Sequence, residues 1–257
     1  NRKYKSYFKC MGGEKKVPND HYIKTNFYDE KKSVEKNVIS LFKEKILLVK
    51  RLGIKNAKIN FVPHYKCHHY HAFYSSKQRN FNKSLILHCE GDGGKYNQAV
   101  SIPTLKGLKF IHGTNKFNLG RLYQWTTLNL NMKPYHDEYK VMGLSPYGDV
   151  QKSVKLSKIL NKYFKVHKKK FVIEFKSKPK DMYYFFKKIY NNFRFDEVAG
   201  GLQHLIEKLL SEWVFKLTSK YRNRSEIFYG GGVAMNVKSN LAISKIKKIK
   251  KFFVPLS

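Results

Sequence analysis

The sequence predicts an α/β protein, and three observations carry that expectation. Short apolar runs at 57–62, 84–89 and 226–229 alternate with longer stretches at 33–52 and 196–221, whose apolar residues recur at helical spacing. Glycine clusters follow two of the short runs, at 90–94 and 230–232. A hydrophobic fraction of 42% over 257 residues is enough to build one large core or two smaller ones. Strands and helices in alternation, joined by glycine-rich turns, indicate α/β layers.

Taken in order, 33–52 reads as an amphipathic helix with Val34, Val38, Leu41, Phe42, Ile46 and Val49 on one stripe, ended by Gly53. A strand at 57–62 runs to Pro63, which suits a helix start because proline's missing N–H is not needed there. The run 84–89 is the next strand; it breaks at Glu90-Gly91-Asp92-Gly93-Gly94, and 96–102 returns as the second arm of a hairpin. Residues 119–130 read as helix. The lysine-rich stretch 149–195 offers only a short strand at 171–175. The longest helix, 196–221, carries Val198, Leu202, Leu205, Ile206, Leu209, Trp213 and Leu217, and is expected to pack on a sheet. A strand at 226–229 leads through Gly230-Gly231-Gly232 to a helix from about Asn236. The run 245–251 keeps its isoleucines at helical spacing and reads as a solvated helical face. No internal repeat is visible.

The charge balance, 52 Lys and Arg against 18 Asp and Glu, gives +34. It comes mostly from lysines spread along the whole chain, together with abundant Asn, Tyr, Phe and Ile, a pattern that AT-rich codon usage alone produces. Sequence-specific nucleic-acid readers lean on arginine forks and clustered patches, so nucleic acid is not the expected partner. No apolar stretch reaches the length of a membrane-spanning helix. Three cysteines, Cys10, Cys67 and Cys89, form no disulfide framework and suit a reducing cytoplasm. The first residue is Asn with no apolar signal core after it, so the start reads as an interior point of a longer protein.

The densest metal-capable segment is Pro63-His64-Tyr65-Lys66-Cys67-His68-His69-Tyr70-His71. In a helix from Pro63, His64 and His68 lie one turn apart on the same face and can chelate one ion. Cys67 and His71 fall near that face, and His69 points elsewhere. Such a pair is half a site, and a solvated histidine-rich helix end is the plainer alternative. The two glycine turns point to phosphate. At 90–94, backbone N–H groups can approach an anion while a carboxylate holds a metal or its water, although Asp-Gly also marks an ordinary hairpin. At 230–232, three glycines between a strand and a helix let a ligand sit against backbone at the helix start, where Asn236 caps the helix or binds the ligand.

Four segments in order then resemble one family, the O-carbamoyltransferases of nodulation-factor and antibiotic biosynthesis. They are Pro63-His64-Tyr65-Lys66-Cys67-His68 with Ala72-Phe73-Tyr74-Ser75-Ser76; the acidic glycine turn 90–94; Asn118-Leu119-Gly120-Arg121-Leu122-Tyr123 followed by His136 to Gly148; and Gly231-Gly232-Val233-Ala234-Met235-Asn236. The most specific is Glu138-Tyr139-Lys140-Val141-Met142-Gly143-Leu144-Ser145-Pro146-Tyr147-Gly148, similar to the family's Glu-x-Lys-Val-Met-Gly-Leu-Ala-Pro-Tyr-Gly. The family's Asp-Gly stands here as Glu90-Gly91 with Asp92-Gly93 two residues on, so either carboxylate is a candidate. His69 stands where a small residue is usual.

The resemblance implies an actin-like ATPase fold of the sugar-kinase type, two related lobes with the ligand in the cleft between them, incomplete at both ends. It implies that 1–257 is part of the N-terminal, threonylcarbamoyl-transferase-like domain, and that the domain forming the adenylate lies outside the chain. His64 and His68 would bind iron or another divalent metal, with a third ligand, an Asp, expected just past the last residue. Asp92, Gly93, Glu138, Lys140, Gly230, Gly231, Gly232 and Asn236 would bind ATP or the carbamoyl adenylate, Glu138 at ribose hydroxyls and Lys140 at phosphate. The implied reaction moves a carbamoyl group from carbamoyl phosphate, through the adenylate, to a hydroxyl of a small molecule or sugar. His71 and His136 are candidates for the acceptor's base, and a homo-oligomer is compatible with this family. The alternatives are tRNA modification of the threonylcarbamoyl type, or a metal- and nucleotide-binding remnant without catalysis.

Overall fold

The computed structural model describes residues 43, 46–54, 62–91, 95–177, 179 and 181–256. The chain divides into two compact units, 1–62 and 63–257. In the first, residues 46–51 are helical and the chain leaves that helix through Gly53 at φ 71°, within the expected helix 33–52. The expected strand 57–62 lies outside the described residues but for Val62.

The second unit holds a five-stranded mixed sheet. Helix α1 (His64–Tyr74) precedes β1 (Ser84–Cys89), β2 (Gln98–Thr104) and β3 (Gly107–Thr114). Then come α2 (Gly120–Asn129), α3 (Glu138–Leu144), α4 (Val150–Asn161), the short strands β4 (Phe164–Val166) and β5 (Ile173–Phe175), and α5 (Met182–Tyr190). Helix α6 (Phe195–Lys220), β6 (Glu226–Gly230), a 3₁₀ turn (Gly232–Met235), α7 (Val237–Ser244) and β7 (Lys251–Phe253) complete it.

The strand order is β3-β2-β1-β6-β7, antiparallel from β3 to β1 and parallel from β1 through β6 to β7. Strand β1 is central and buried along its whole length, which is why it reads as a continuous apolar run instead of an alternating one. Ala72 and Phe73 of α1 pack with Ile86 of β1 and Phe228 of β6 in the core. Because β1 and β6 are parallel, with His88 beside Gly230, both strands release their glycine turns at the same end of the sheet. In open α/β sheets that end is where ligands bind.

The structure departs from the sequence expectations in three places. The stretch 149–195 folds as two helices and a β4–β5 hairpin, with Asp149 capping α4 through the Lys152 N–H (2.8 Å) and Asp181 capping α5 through the Tyr184 N–H (3.0 Å). The run 245–251 is not helical. Helix α7 stops at Ser244, bonds from Ile246 to Ile243 (3.0 Å) and Ile249 to Ile246 (2.8 Å) turn the chain, and Lys251–Phe253 pairs with β6. Pairing with a sheet edge outweighs the isoleucine spacing there. Helix α6 packs chiefly on α4 and α7, and reaches the small hairpin where the Trp213 indole N–H donates to the Phe171 carbonyl at 2.7 Å. Among the described residues, no helix is long and apolar enough to cross a membrane.

Candidate functional site

Pro63 caps α1 in extended geometry (φ −55°, ψ 137°), and the helix it starts carries His64 and His68 on one face. Their Nε2 atoms come within 3.0 Å of each other. Strand β1 runs out toward the same point and delivers Glu90. Its Oε2 lies 3.0 Å from His68 Nε2, 3.7 Å from His64 Nε2 and 3.6 Å from the Nε2 of His88, the penultimate residue of β1. The four ligand atoms lie within 4.8 Å of one another. Two ligands about 2.1 Å from one ion stand about 3.0 Å apart at right angles and about 3.4 Å apart in a tetrahedron. The His64–His68 and His68–Glu90 spacings fit that range as they stand.

Glu90 is held in place from the glycine turn. The Gly232 N–H donates to Glu90 Oε2 at 3.0 Å, and the Glu90 N–H donates to the Asn97 carbonyl at 2.8 Å. Burial alone would raise the Glu90 carboxyl, but the His68 and His88 imidazoles and the Gly232 N–H hold it well below the usual carboxylate range. The glycines serve this approach. Gly231 has φ 95°, and a Cβ there would lie 2.5 Å from the Cys89 carbonyl oxygen and 2.9 Å from His88 Cδ2. At Gly232 a Cβ would lie 2.5 Å from Glu90 Oε1. The turn expected to cradle phosphate thus closes on the carboxylate, and the Gly232 N–H is already committed to it.

The histidines of α1 divide. His69 is buried, its Nδ1 lies 2.9 Å from Ser101 Oγ, and burial first, then the neighbouring His88, pushes its pKa down to about 3. It serves the core. His71 lines the second cavity described below, and Cys67 is exposed and is not among the clustered donors. His88 was missed in the sequence. It sits within an apolar strand, and its signal is that a histidine is an expensive residue to bury there without a partner. It is fully buried, and neither ring nitrogen has a hydrogen-bond partner. Imidazole and carboxylate donors together suit iron, zinc and related ions, so the residues present fit the metal that the sequence implied. The carboxylate donor beside the histidines is Glu90; Asp92 and Gly93 lie outside the described residues.

Beside the cluster opens a cavity of about 390 Å³ lined by residues of α2, α3 and the 3₁₀ turn, among them Tyr123, Tyr139, Met142 and Met235. Glu138 faces it, with the Tyr135 N–H donating to its Oε1 at 2.7 Å and burial raising its pKa. Lys140 is not among the lining residues; its Nζ lies 2.8 Å from Asp137, whose carboxyl Lys140 first and then His136 hold below the usual range. Asn236 lines the cavity, but its side chain is engaged within the protein. Its Oδ1 accepts from Ser239 N (2.9 Å), capping α7, and from Gln203 Nε2 (3.1 Å), while its Nδ2 donates to Tyr123 Oη (2.7 Å) and Gln203 Oε1 (3.0 Å). A second cavity, of about 340 Å³, holds His64, His68, His71 and Gly230–Gly232. Glu90, Gly232 and Met235 wall both.

The sequence profile of the carbamoyltransferase N-terminus matches residues 12–256. The chain belongs to the carbamoyltransferase family. Among relatives, an uncharacterized protein of Methanocaldococcus jannaschii, MJ1051, is 28% identical over 222 residues, covering 80% of this chain and 40% of that protein. The nodulation protein NolNO of Sinorhizobium fredii is 35% identical over 106 residues, covering 40% of this chain and 15% of its own length. This carbamoyltransferase chain therefore spans less than half the length of the curated relatives it matches. The profile covers the histidine pair, Glu90, the 138–148 segment and the 230–236 turn in one continuous match.

Proposed function

We propose that this chain forms the transfer site of an O-carbamoyltransferase. In this reading a carbamoyl group from carbamoyl phosphate reaches the site as carbamoyl adenylate, formed with ATP, and moves to a hydroxyl of a small molecule or sugar. Family membership supports carbamoyl transfer. The observation that carries the rest is Glu90, one carboxylate that touches the histidine cluster and walls the adjoining cavity. A sheet of three antiparallel strands continued by two parallel ones is what one lobe of an actin-like ATPase fold needs, and it supports that finer fold.

His64, His68 and Glu90 would hold a divalent metal, iron or a similar ion, which when bound would supply Lewis acidity against negative charge on a phosphate or carbamoyl oxygen. The described residues lining the larger cavity include two carboxylates, Glu90 and Glu138, and no lysine or arginine. An anionic adenylate there needs cationic charge from elsewhere, which supports a metal at the histidines. The Tyr123, Tyr135, Tyr139 and Met142 side chains suit an adenine ring, and Glu138 is placed to accept from ribose hydroxyls. Gly232 orients Glu90. The acceptor hydroxyl attacks that carbon, its proton passes to a base, and AMP leaves. His71, in the cavity on the histidine side, is better placed for that proton than His136, which bonds Asp137 at 2.8 Å.

The test uses the whole protein with carbon-labelled carbamoyl phosphate, ATP and a set of hydroxylated acceptors. Labelled carbamoyl ester together with AMP is the expected result. In a parallel arm with labelled threonine, bicarbonate, ATP and tRNA, label in the tRNA would favour the threonylcarbamoyl alternative, and no carbamoyl label transfer to any hydroxylated acceptor would contradict the reading.

A further inference from the structure

We propose that His88 is a further ligand of the metal centre, so that this chain contributes three imidazoles and one carboxylate to it. The inference rests on the metal reading above and extends it to a residue no sequence motif singled out.

Three observations point the same way. The ring of His88 is fully buried at the end of the central strand, and both its nitrogens lack a hydrogen-bond partner. Buried polar groups are normally satisfied, and an orphaned pair on one ring calls for an acceptor of its lone pair. The ring is also aimed: its Nε2 lies 3.6 Å from Glu90 Oε2, and it stacks on the His68 ring at 5.1 Å between centroids and 17° between planes. Two near-parallel imidazoles thus present their Nε2 atoms to one carboxylate oxygen. Finally, the surrounding backbone is built around it. His88 pairs with Gly230 on one side and Ala99 on the other, and only a glycine fits at 231, where a Cβ would stand 2.9 Å from the His88 ring.

A structural role explains burial but not two unpartnered nitrogens beside a cluster of metal donors. Coordination engages Nε2 and leaves a neutral ring with its proton on Nδ1. The four ligand atoms, within 4.8 Å of one another, reach the spacing of one coordination sphere by movements of under about 1 Å, since ligands opposite each other on an ion stand about 4.2 Å apart.

X-ray absorption on the wild-type chain loaded with zinc alone counts imidazoles directly and needs no variant. Three imidazole ligands are expected, and two would overturn the proposal. Zinc affinity of His88→Ala, in a variant whose apo circular dichroism matches the wild type, should fall at least about 100-fold, beyond the 10–100-fold cost of losing a residue that merely orients a ligand. An unchanged affinity, or an unchanged visible spectrum of the cobalt-loaded variant, would also overturn it. These readouts do not depend on turnover. Three imidazoles without carbamoyl transfer would remove the proposed function and leave this site standing; transfer with two imidazoles would do the reverse.

Discussion

The two walls that meet at Glu90 are built on opposite principles. On the histidine side, metal-capable atoms converge: His64 and His68 Nε2 at 3.0 Å, and Glu90 Oε2 at 3.0 Å from His68 Nε2 and 3.6 Å from His88 Nε2. On the cavity side, the polar groups are mutually satisfied. Asn236, Gln203 and Tyr123 close a network that joins α2, α6 and the start of α7, and Lys140 is paired with Asp137. A wall of satisfied groups gives shape, whereas a wall of converging donors gives affinity for a cation. Under the proposed function, affinity for a cation would be concentrated at the cluster, and the cavity would contribute fit.

Variants on the two walls should therefore fail in different ways. The largest effect is expected from the double variant His64→Ala, His68→Ala, which should abolish stoichiometric metal by elemental analysis. Its apo melting temperature should stay near the wild type, because both side chains are partly exposed. Retention of metal would remove the distinction between the walls. Asn236→Ala should do the reverse, costing about 2–3 kcal/mol in denaturant unfolding from a lost cap and a buried amide network, while the apo-to-metal affinity changes little. Gly232→Ala falls between them. Its Cβ must displace Glu90 Oε1, so metal affinity by calorimetry should drop about tenfold through misplacement of a ligand. The smallest effect is expected from Lys140→Ala, whose half-exposed ammonium pairs with the buried Asp137. Nucleotide affinity should change less than about threefold, and a loss of about tenfold or more would return Lys140 to the phosphate role its motif suggested.

How much of this could be read beforehand depends on which interactions decided each element. Strands β1 and β6 and helix α6 were legible because their burial is continuous or their period is strong, and such patterns survive any tertiary context. Helices α4 and α5 were obscured because lysines on their exposed faces dilute the apolar stripe, although Asp149 and Asp181 marked their starts. Strand β3 and strand β7 are partly exposed edges whose identity comes from the neighbour they pair with. In the site, the i, i+4 spacing placed His64 and His68 on one face, and the family resemblance, not the spacing, favoured a ligand pair over a solvated helix end. His88 was not assigned to the cluster and Glu90 was one of two candidate carboxylates, because their proximity to the histidines comes from the parallel pairing of β1 with β6 and from the fold of α1 over that strand end. The glycines at 230–232 were recognised as permitting close approach. What approaches is a carboxylate of the protein itself, a fact that no local spacing encodes.

The central claim is that the histidine cluster and the cavity are one site, joined through Glu90. Calorimetric titration of a non-hydrolysable carbamoyl-adenylate analogue, into the chelator-treated chain and into the same chain reloaded with zinc or ferrous iron, tests it most directly. The account predicts binding at least about tenfold tighter with metal present, and loss of that gain in Glu90→Gln. Equal affinity with and without metal, for wild type and variant alike, would contradict it.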